Sequence, residues 1–225
     1  MLLRLAARGL NSDMPRTIAI GDIHGCSNAL SSILRAIDPT PNDTIITLGD
    51  YVNRGMDSKG VLEMLIELSK RCRLIPILGN HDEMMMKTRR SRSAFRHWME
   101  FGGIETLDSY GDSGQISLIP DEHFDFLESC LPFFETDTHF FVHGNYDPEL
   151  PLDQQNDRML RWVSLRDYLP APHLLGKIAV VGHTPQSEVL NLGHLICLDT
   201  GCAYGGKLTA MEVGSGKVWQ ARTMQ

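Results

Sequence analysis

Three short apolar runs each break off at a glycine followed by side chains that can bind metal, and the first two lead into clear helical periodicity. Thr17-Ile18-Ala19-Ile20 runs into Gly21-Asp22-Ile23-His24-Gly25, and Thr44-Ile45-Ile46-Thr47-Leu48 into Gly49-Asp50-Tyr51-Val52-Asn53-Arg54-Gly55. The third run, residues 74–78, ends in Gly79-Asn80-His81-Asp82. After the first, Leu30, Ile33, Leu34 and Ile37 recur at helical spacing until Pro39 and Pro41 stop them. After the second, Val61, Leu62, Leu65, Ile66 and Leu68 predict an amphipathic helix over residues 58–71. Successive strand–loop–helix units of this kind predict a sheet whose strands are joined by crossover helices. Their polar residues then gather at the strands' carboxyl ends, where side chains face a common cleft. In the second loop Gly49 permits a sharp turn and Gly55 a close backbone approach.

Residues 83–128 read as helical, interrupted at Gly102-Gly103 and over residues 111–120. Met84, Met85 and Met86 suit core filling, and Arg89, Arg90 and Arg92 a solvated helix face. From His139 onward the texture changes to short strands over residues 140–143, 178–182, 195–199, 208–213 and 218–220. The last two predict a hairpin across Gly214-Ser215-Gly216. Residues 144–177, rich in Pro, Asp and Gln, form the longest irregular stretch, and loops of that length are commonly functional. At 225 residues the expectation is one domain over residues 15–225, preceded by a poorly ordered extension over 1–14.

A formal net charge of −7 without any basic block argues against a nucleic-acid partner. No stretch approaches the roughly 18 apolar residues of a membrane span. Five cysteines, an odd number with no CxxC pair, read as reduced thiols in a cytoplasmic protein. The oligomeric state is left open.

Five strand ends thus offer Asp22 with His24, Asp50, Asn80 with His81, His143, and His183. Each alone has a bland reading as a turn, a helix cap or a structural histidine. Together they mix carboxylate, amide oxygen and imidazole with no thiolate, which suits Mn, Fe or Zn better than Ca²⁺ or Cu(I). A carboxylate can bridge two ions roughly 3.5–4 Å apart, and such a pair can clamp the oxygens of an in-line phosphoryl displacement. His97, His123, His139, His173 and His194 lie outside these motifs and read as structural, as does Cys202.

Gly-Asp22-x-His24-Gly, Gly-Asp50-x-x-x-Arg54-Gly, Gly-Asn80-His81-Asp82, His143-Gly and Gly-His183-Thr184 resemble, in order, the phosphoprotein phosphatase branch of the calcineurin-like metallophosphoesterases. The small bacterial and bacteriophage lambda type of serine/threonine protein phosphatase is most similar in size. His97-Trp98 before Gly102-Gly103 and the run Leu198-Asp199-Thr200-Gly201-Cys202 are also shared. The resemblance implies an α/β fold with a central β-sandwich flanked by helices. It implies two divalent metal ions, Mn²⁺ foremost with Fe or Zn as alternatives. Asp22 and His24 would hold one, Asn80, His143 and His183 the other, with Asp50 bridging. His81 would act as general acid and Arg54 as phosphate clamp, with a hydroxide bridging the metals as nucleophile. The implied substrate is a phosphorylated protein, at phosphoserine, phosphothreonine or phosphotyrosine, or a small phosphate ester.

Two positions depart from the pattern. Those phosphatases carry Asp where this chain has Asn53. An amide oxygen can accept an N–H from His81 and hold the ring, but it lacks the charge that raises an imidazole pKa. A further phosphate-binding arginine, expected two residues beyond a tryptophan resembling Trp162, is replaced by Ser164, leaving Arg161 or Arg166 to reach inward. Asp82, the run ending at Cys202 and the missing Asp at position 53 also resemble symmetrical diadenosine polyphosphate hydrolases. Those enzymes, however, carry Gly-His-Trp where this chain has Gly-His183-Thr184. A weakly active metal-binding pseudophosphatase is a third reading.

Overall fold

A computed structural model describes residues 14–111 and 114–223, so the extension expected over 1–14 lies, Met14 apart, outside the described residues. The elements in the first half are β1 (Thr17–Ile20), α1 (Ser27–Ile37), β2 (Thr44–Thr47), α2 (Ser58–Ser69) and β3 (Arg73–Pro76). Then come α3 (Asn80–Thr88), α4 (Arg92–Trp98), α5 (Ile104–Ser109) and α6 (Asp121–Glu128), with a π turn, Met99–Gly103, between α4 and α5. The second half contains β4 (Phe133–Glu135), β5 (His139–Val142), α7 (Asp157–Trp162), β6 (Ile178–Val181), β7 (Leu190–Asn191), β8 (Leu195–Cys197), β9 (Leu208–Glu212) and β10 (Val218–Ala221).

The strands form two five-stranded sheets, ordered β10-β9-β1-β2-β3 and β4-β5-β6-β8-β7. β1, β2 and β3 run parallel, with Ile18 opposite Ile45 and Ile45 opposite Leu74. β5, β6 and β8 are likewise parallel. Side-chain alternation sorts each strand's residues between two layers. Ala19, Ile46 and Met211 from the first sheet meet Phe141, Val180 and Ile196 from the second, forming the sandwich core. Ile18, Ile20 and Ile45 point the other way, against Leu30 and Ile33 of α1 and Leu62 and Leu65 of α2. Phe140, Val142, Ala179 and Val181 face Tyr146, Leu160 and Leu165. The strands are therefore apolar on both sides, as parallel strands covered on both faces should be.

The expected hairpin is β9 and β10, antiparallel with Val218 opposite Met211. The stretch expected to be irregular over 144–177 contains α7 and a 3-10 turn at Leu152–Gln154. Six residues span less than two turns, too few for an apolar period to show. The edge strands β4 and β7, of three and two residues, were absent from the expectation for the same reason.

The start of the first sheet is fastened by Asp43, only 1% exposed. Its carboxylate accepts from Arg16 Nε (3.0 Å), Arg16 Nη2 (2.6 Å) and the Thr40 amide (2.7 Å). Burial pushes that carboxyl up, but the Arg16 guanidinium and the Thr40 donors outweigh it and hold it at about 2. Because the folded value lies below the unfolded value of ~3.9, this stabilisation is complete above about pH 4. It disappears as pH falls through about 2. Replacing Asp43→Ala strands buried donors and is expected to cost about 1–3 kcal/mol at pH 7. Urea unfolding measured from pH 7 down to pH 2 should show the gap between variant and unaltered protein closing at the acid end.

Candidate metal centre and cleft

The loops that leave the six parallel strands lace together through their backbones. The Ile23 and His24 amides both donate to the Asp50 carbonyl (3.1 and 2.7 Å), and the Gly182 amide donates to the His143 carbonyl (2.8 Å). Gly49 has φ +99°, and a Cβ on Gly55 would stand 1.9 Å from the His24 carbonyl oxygen, so both glycines serve as the sequence suggested. The Asp82 carboxylate accepts from the amides of Asp50 (2.8 Å), Tyr51 (2.9 Å) and Gly79 (3.1 Å). It is a staple between the second and third loops rather than a cleft residue. Six non-glycine residues among those described take positive φ, and His24, Asp50, Asn53, Arg54 and His183 account for all but one. Such conformations cost of order 1–3 kcal/mol each and persist where the surroundings impose them.

His24 and His143 are oriented by backbone carbonyls. His24 Nδ1 donates to Val52 (2.9 Å) and His143 Nδ1 donates to Leu48 (2.7 Å), so their Nε2 atoms face inward. Asp50 belongs to two groups of possible ligands, one with His24 and His81, the other with His143 and His183; within each, the ligand atoms lie within 4.8 Å of one another. Asn80 Oδ1 stands 3.0 Å from both His143 Nε2 and His183 Nδ1, and Asp50 Oδ2 is 3.5 Å from the same His143 atom. Lone pairs therefore meet lone pairs unless something positive intervenes. Burial pulls the His143 imidazole down, yet the Asp50 and Asp22 carboxylates outweigh it and push it up to about 10. A divalent cation meets that demand as a proton does, and oxygen and imidazole donors without thiolate suit Mn, Fe or Zn. The residues present fit the implied metal pair.

The same burial depresses His24 and His183 to about 4, so these rings are neutral and fit to ligate. Asp22 sits beside the two groups, its carboxylate accepting the His183 amide (3.1 and 2.9 Å). Burial and the neighbouring Asp199 push its carboxyl well above the usual range.

Asn53 stands against the sequence expectation. Its Nδ2 lies 3.0 Å from His81 Nδ1 and 3.0 Å from the Phe101 carbonyl. Its Oδ1 accepts from Trp98 Nε1 (2.8 Å) and Thr106 Oγ1 (3.1 Å). An indole only donates and a carbonyl only accepts, so the amide has one workable orientation. The amide nitrogen, not the oxygen, faces His81, and His81 Nδ1 must be the acceptor. That leaves the single ring proton on Nε2, in line with burial holding His81 at about 3.

Outside the metal groups lies a cleft of about 540 Å³ lined by Arg54, Phe101, Trp162, Arg166 and Tyr204 together with Asp50, Asn80, His81 and His183. A larger groove of about 700 Å³ between α1 and α2 contains none of the expected site residues. Of Arg161 and Arg166, it is Arg166 that joins Arg54 at the cleft, its Nη2 donating to the Pro185 carbonyl (2.8 Å). Arg161 is buried and paired instead with Glu83 (3.2 Å) and Asp157 (2.8 Å). Phe101 and Tyr204 had no recognisable motif of their own; each sits within three residues of one, beside Gly102-Gly103 and after Gly201-Cys202. The remaining histidines have local partners: Tyr110 for His123, Thr138 for His139, Leu150 for His173 and Pro170 for His194. His97 lies 3.8 Å from Glu100. No helix among the described residues is long and apolar enough to cross a membrane.

Residues 15–210 match the model of the calcineurin-like phosphoesterases. Serine/threonine-protein phosphatase 1 of Salmonella typhimurium is 27% identical over 208 residues, covering 86% of this chain and 90% of that protein. The symmetrical bis(5'-nucleosyl)-tetraphosphatase of Janthinobacterium sp. is 24% identical over 265 residues, covering 88% and 92%. A crystal structure described as a putative diadenosine tetraphosphatase superposes with a TM-score of 0.73 at 24% identity, covering 93% of this chain and 94% of that one.

Metal binding should register as stability. A ligand bound only by the folded state stabilises by ~2.7 kcal/mol at a hundred times its Kd. Adding Mn²⁺ to metal-stripped protein is expected to raise Tm, and Asp50→Asn, which weakens the shared ligand, to abolish most of that rise. A Tm insensitive to Mn²⁺, Fe²⁺ and Zn²⁺ alike would overturn the assignment.

Proposed function

The chain belongs to the calcineurin-like phosphoesterase family, and from that premise we propose that it is a two-metal phosphohydrolase acting on substrates whose leaving oxygen needs little protonation, dinucleoside polyphosphates foremost. Asp22 and His24 would hold one ion and Asn80, His143 and His183 the other, with Asp50 placed to serve both. Bound divalent ions supply an activated water at neutral pH and charge stabilisation for in-line displacement. The water oxygen forms the new bond to phosphorus while the bond to the leaving oxygen breaks. Arg54 holds the non-bridging oxygens, for which a planar guanidinium is well shaped, and its ring contact with Tyr204 (5.1 Å) keeps it at the cleft.

The observation that carries the substrate reading is the Asn53 amide nitrogen on His81 Nδ1. His81 is left neutral, with one proton on Nε2 to share with the leaving oxygen. A carboxylate in place of Asn53 would accept from Nδ1 and stabilise the imidazolium, a stronger acid donor. A serine or threonine alkoxide needs that acid; the phosphate released from an anhydride does not. The tetraphosphatase relative, matched over most of both chains, supports this choice. Phosphoserine and phosphothreonine in proteins remain the second reading, favoured by the higher identity to the Salmonella phosphatase.

Incubating Mn²⁺-loaded protein with diadenosine tetraphosphate and with a phosphoserine peptide in parallel is expected to give the larger kcat/KM on the dinucleotide, with both activities removed by chelator. A larger value on the peptide would select the second reading, and no turnover of either would leave a metal-binding scaffold. Asn53→Asp is expected to raise kcat on the phosphopeptide by more than on an aryl phosphate. The same change places a carboxylate against the Phe101 carbonyl and should lower stability by about 1–3 kcal/mol, so Tm is measured alongside. Equal or falling activity on the phosphopeptide in folded protein would sink the leaving-group argument.

A further inference from the structure

The cleft has an anionic, metal-binding floor and a differently built rim. Three aromatic side chains stand on that rim, from three segments distant in sequence: Phe101 in the π turn after α4, Trp162 at the end of α7, and Tyr204 in the 3-10 turn after β8. Phe101 is 40% and Tyr204 59% exposed. Large apolar rings left in water at a cleft mouth mark a place where something apolar docks.

The segments that carry the rings are anchored. The Phe101 carbonyl accepts from Asn53 Nδ2 (3.0 Å), tying its backbone to the second loop. Trp162 Nε1 donates to Glu83 Oε2 (2.8 Å), and Glu83 is the residue after Asp82 on α3. Tyr204 lies under the Arg54 guanidinium. Arg166 completes the rim, its guanidinium held by Pro185, two residues beyond His183. Aromatic faces alternating with guanidiniums are the surface on which nucleobases stack while their phosphates are neutralised. A phosphoserine side chain has no ring of its own beside its phosphate, whereas every nucleotide carries one that can cover these faces. With a net charge of −7, the protein has no long-range attraction for a polyanion, so the bound ions and local arginines must supply it.

We infer that Phe101, Tyr204 and Trp162 form a base-stacking rim that holds the nucleoside of a nucleoside polyphosphate, with Arg166 on the phosphates outside the metal centre. This rests on the substrate reading above and assigns it residues; these determine specificity, and Tyr204 also positions Arg54.

ADP and inorganic pyrophosphate share a diphosphate and differ by the adenosine, so comparing them isolates the rim. Calorimetry on Mn²⁺-loaded full-length protein is expected to give ADP a Kd lower than that of pyrophosphate by roughly 5–150-fold, the range that stacking one base provides. In the double variant Phe101→Leu/Tyr204→Leu the ratio should fall close to one, and in Phe101→Trp/Tyr204→Trp it should be kept. Both positions are substantially exposed, and circular dichroism with Tm checks that the variants fold. A ratio near one in the unaltered protein overturns the rim, as does a ratio unchanged in the leucine variant. If Tyr204→Leu alone weakens ADP and pyrophosphate in step, that ring serves only Arg54 and drops out of the stack. An intact ADP preference without turnover of diadenosine tetraphosphate supports the rim and instead overturns the reaction assigned above.

Discussion

Lone pairs crowded together without enough protons to separate them are costly in a protein interior, and this molecule is built around such a crowd. Asp50, Asn80, His143 and His183 present acceptor atoms to one another at about the distance of a hydrogen bond, while the other nitrogens of His24 and His143 are already spent on backbone carbonyls. A cation resolves the conflict. Everything nearby works to hold the acceptors in place until one is there: parallel strands ending at a common edge, loops bonded backbone to backbone, and five residues kept at positive φ.

Asp82 shows how that hold is achieved. Its carboxylate gathers three amides from two loops, Asp50, Tyr51 and Gly79, while the Asp50 carboxylate accepts the His81 amide at Oδ1 (3.0 Å) and turns Oδ2 toward His24 and His143. Burial and the charge of Asp50 push Asp82 up to about 7. Asp50 itself is driven well below the usual carboxylate range: burial opposes its ionisation, but the surrounding imidazoles outweigh burial. Two carboxylates bonded into one loop system thus play opposite parts, one fastening backbone and one presenting charge.

Selectivity is arranged outside that floor. Asn53 is oriented by groups that take no part in the chemistry, the Trp98 indole and the Phe101 carbonyl. Through that orientation they settle which nitrogen of His81 carries the proton. Phe101 supplies that carbonyl and also presents its ring at the cleft mouth. Replacing the amide at position 53 by a carboxylate would therefore require reworking the α4–π turn–α5 segment as well.

Much of the floor was legible in the chain before any fold was known. Gly-Asp22-x-His24, Gly-Asp50, Gly-Asn80-His81, His143 and Gly-His183 each follow an apolar run directly, and a strand's end is set by its own residues and the glycine that stops it. The strand–helix alternation followed from the same local signals, and the central sandwich from the resemblance those motifs carry. The short pieces did not show: α7, β4 and β7 have too few residues for a period and exist because tertiary neighbours pair with or pack on them. Nor did the rim, because Tyr204 and Phe101 come to line one cleft only through the folding of segments about a hundred residues apart. Choosing between Arg161 and Arg166 likewise needed Glu83, which lies about eighty residues away in sequence and claims Arg161. Even the identity of Asn53 was misleading alone, since an amide can offer either end. The sequence by itself determined which groups at the strand ends are of a type that can ligate and where the strands stop, because those depend on residues adjacent in the chain. The tertiary structure alone decided which way Asn53 points and which aromatics border the cleft, because those depend on donors and surfaces brought together only by packing.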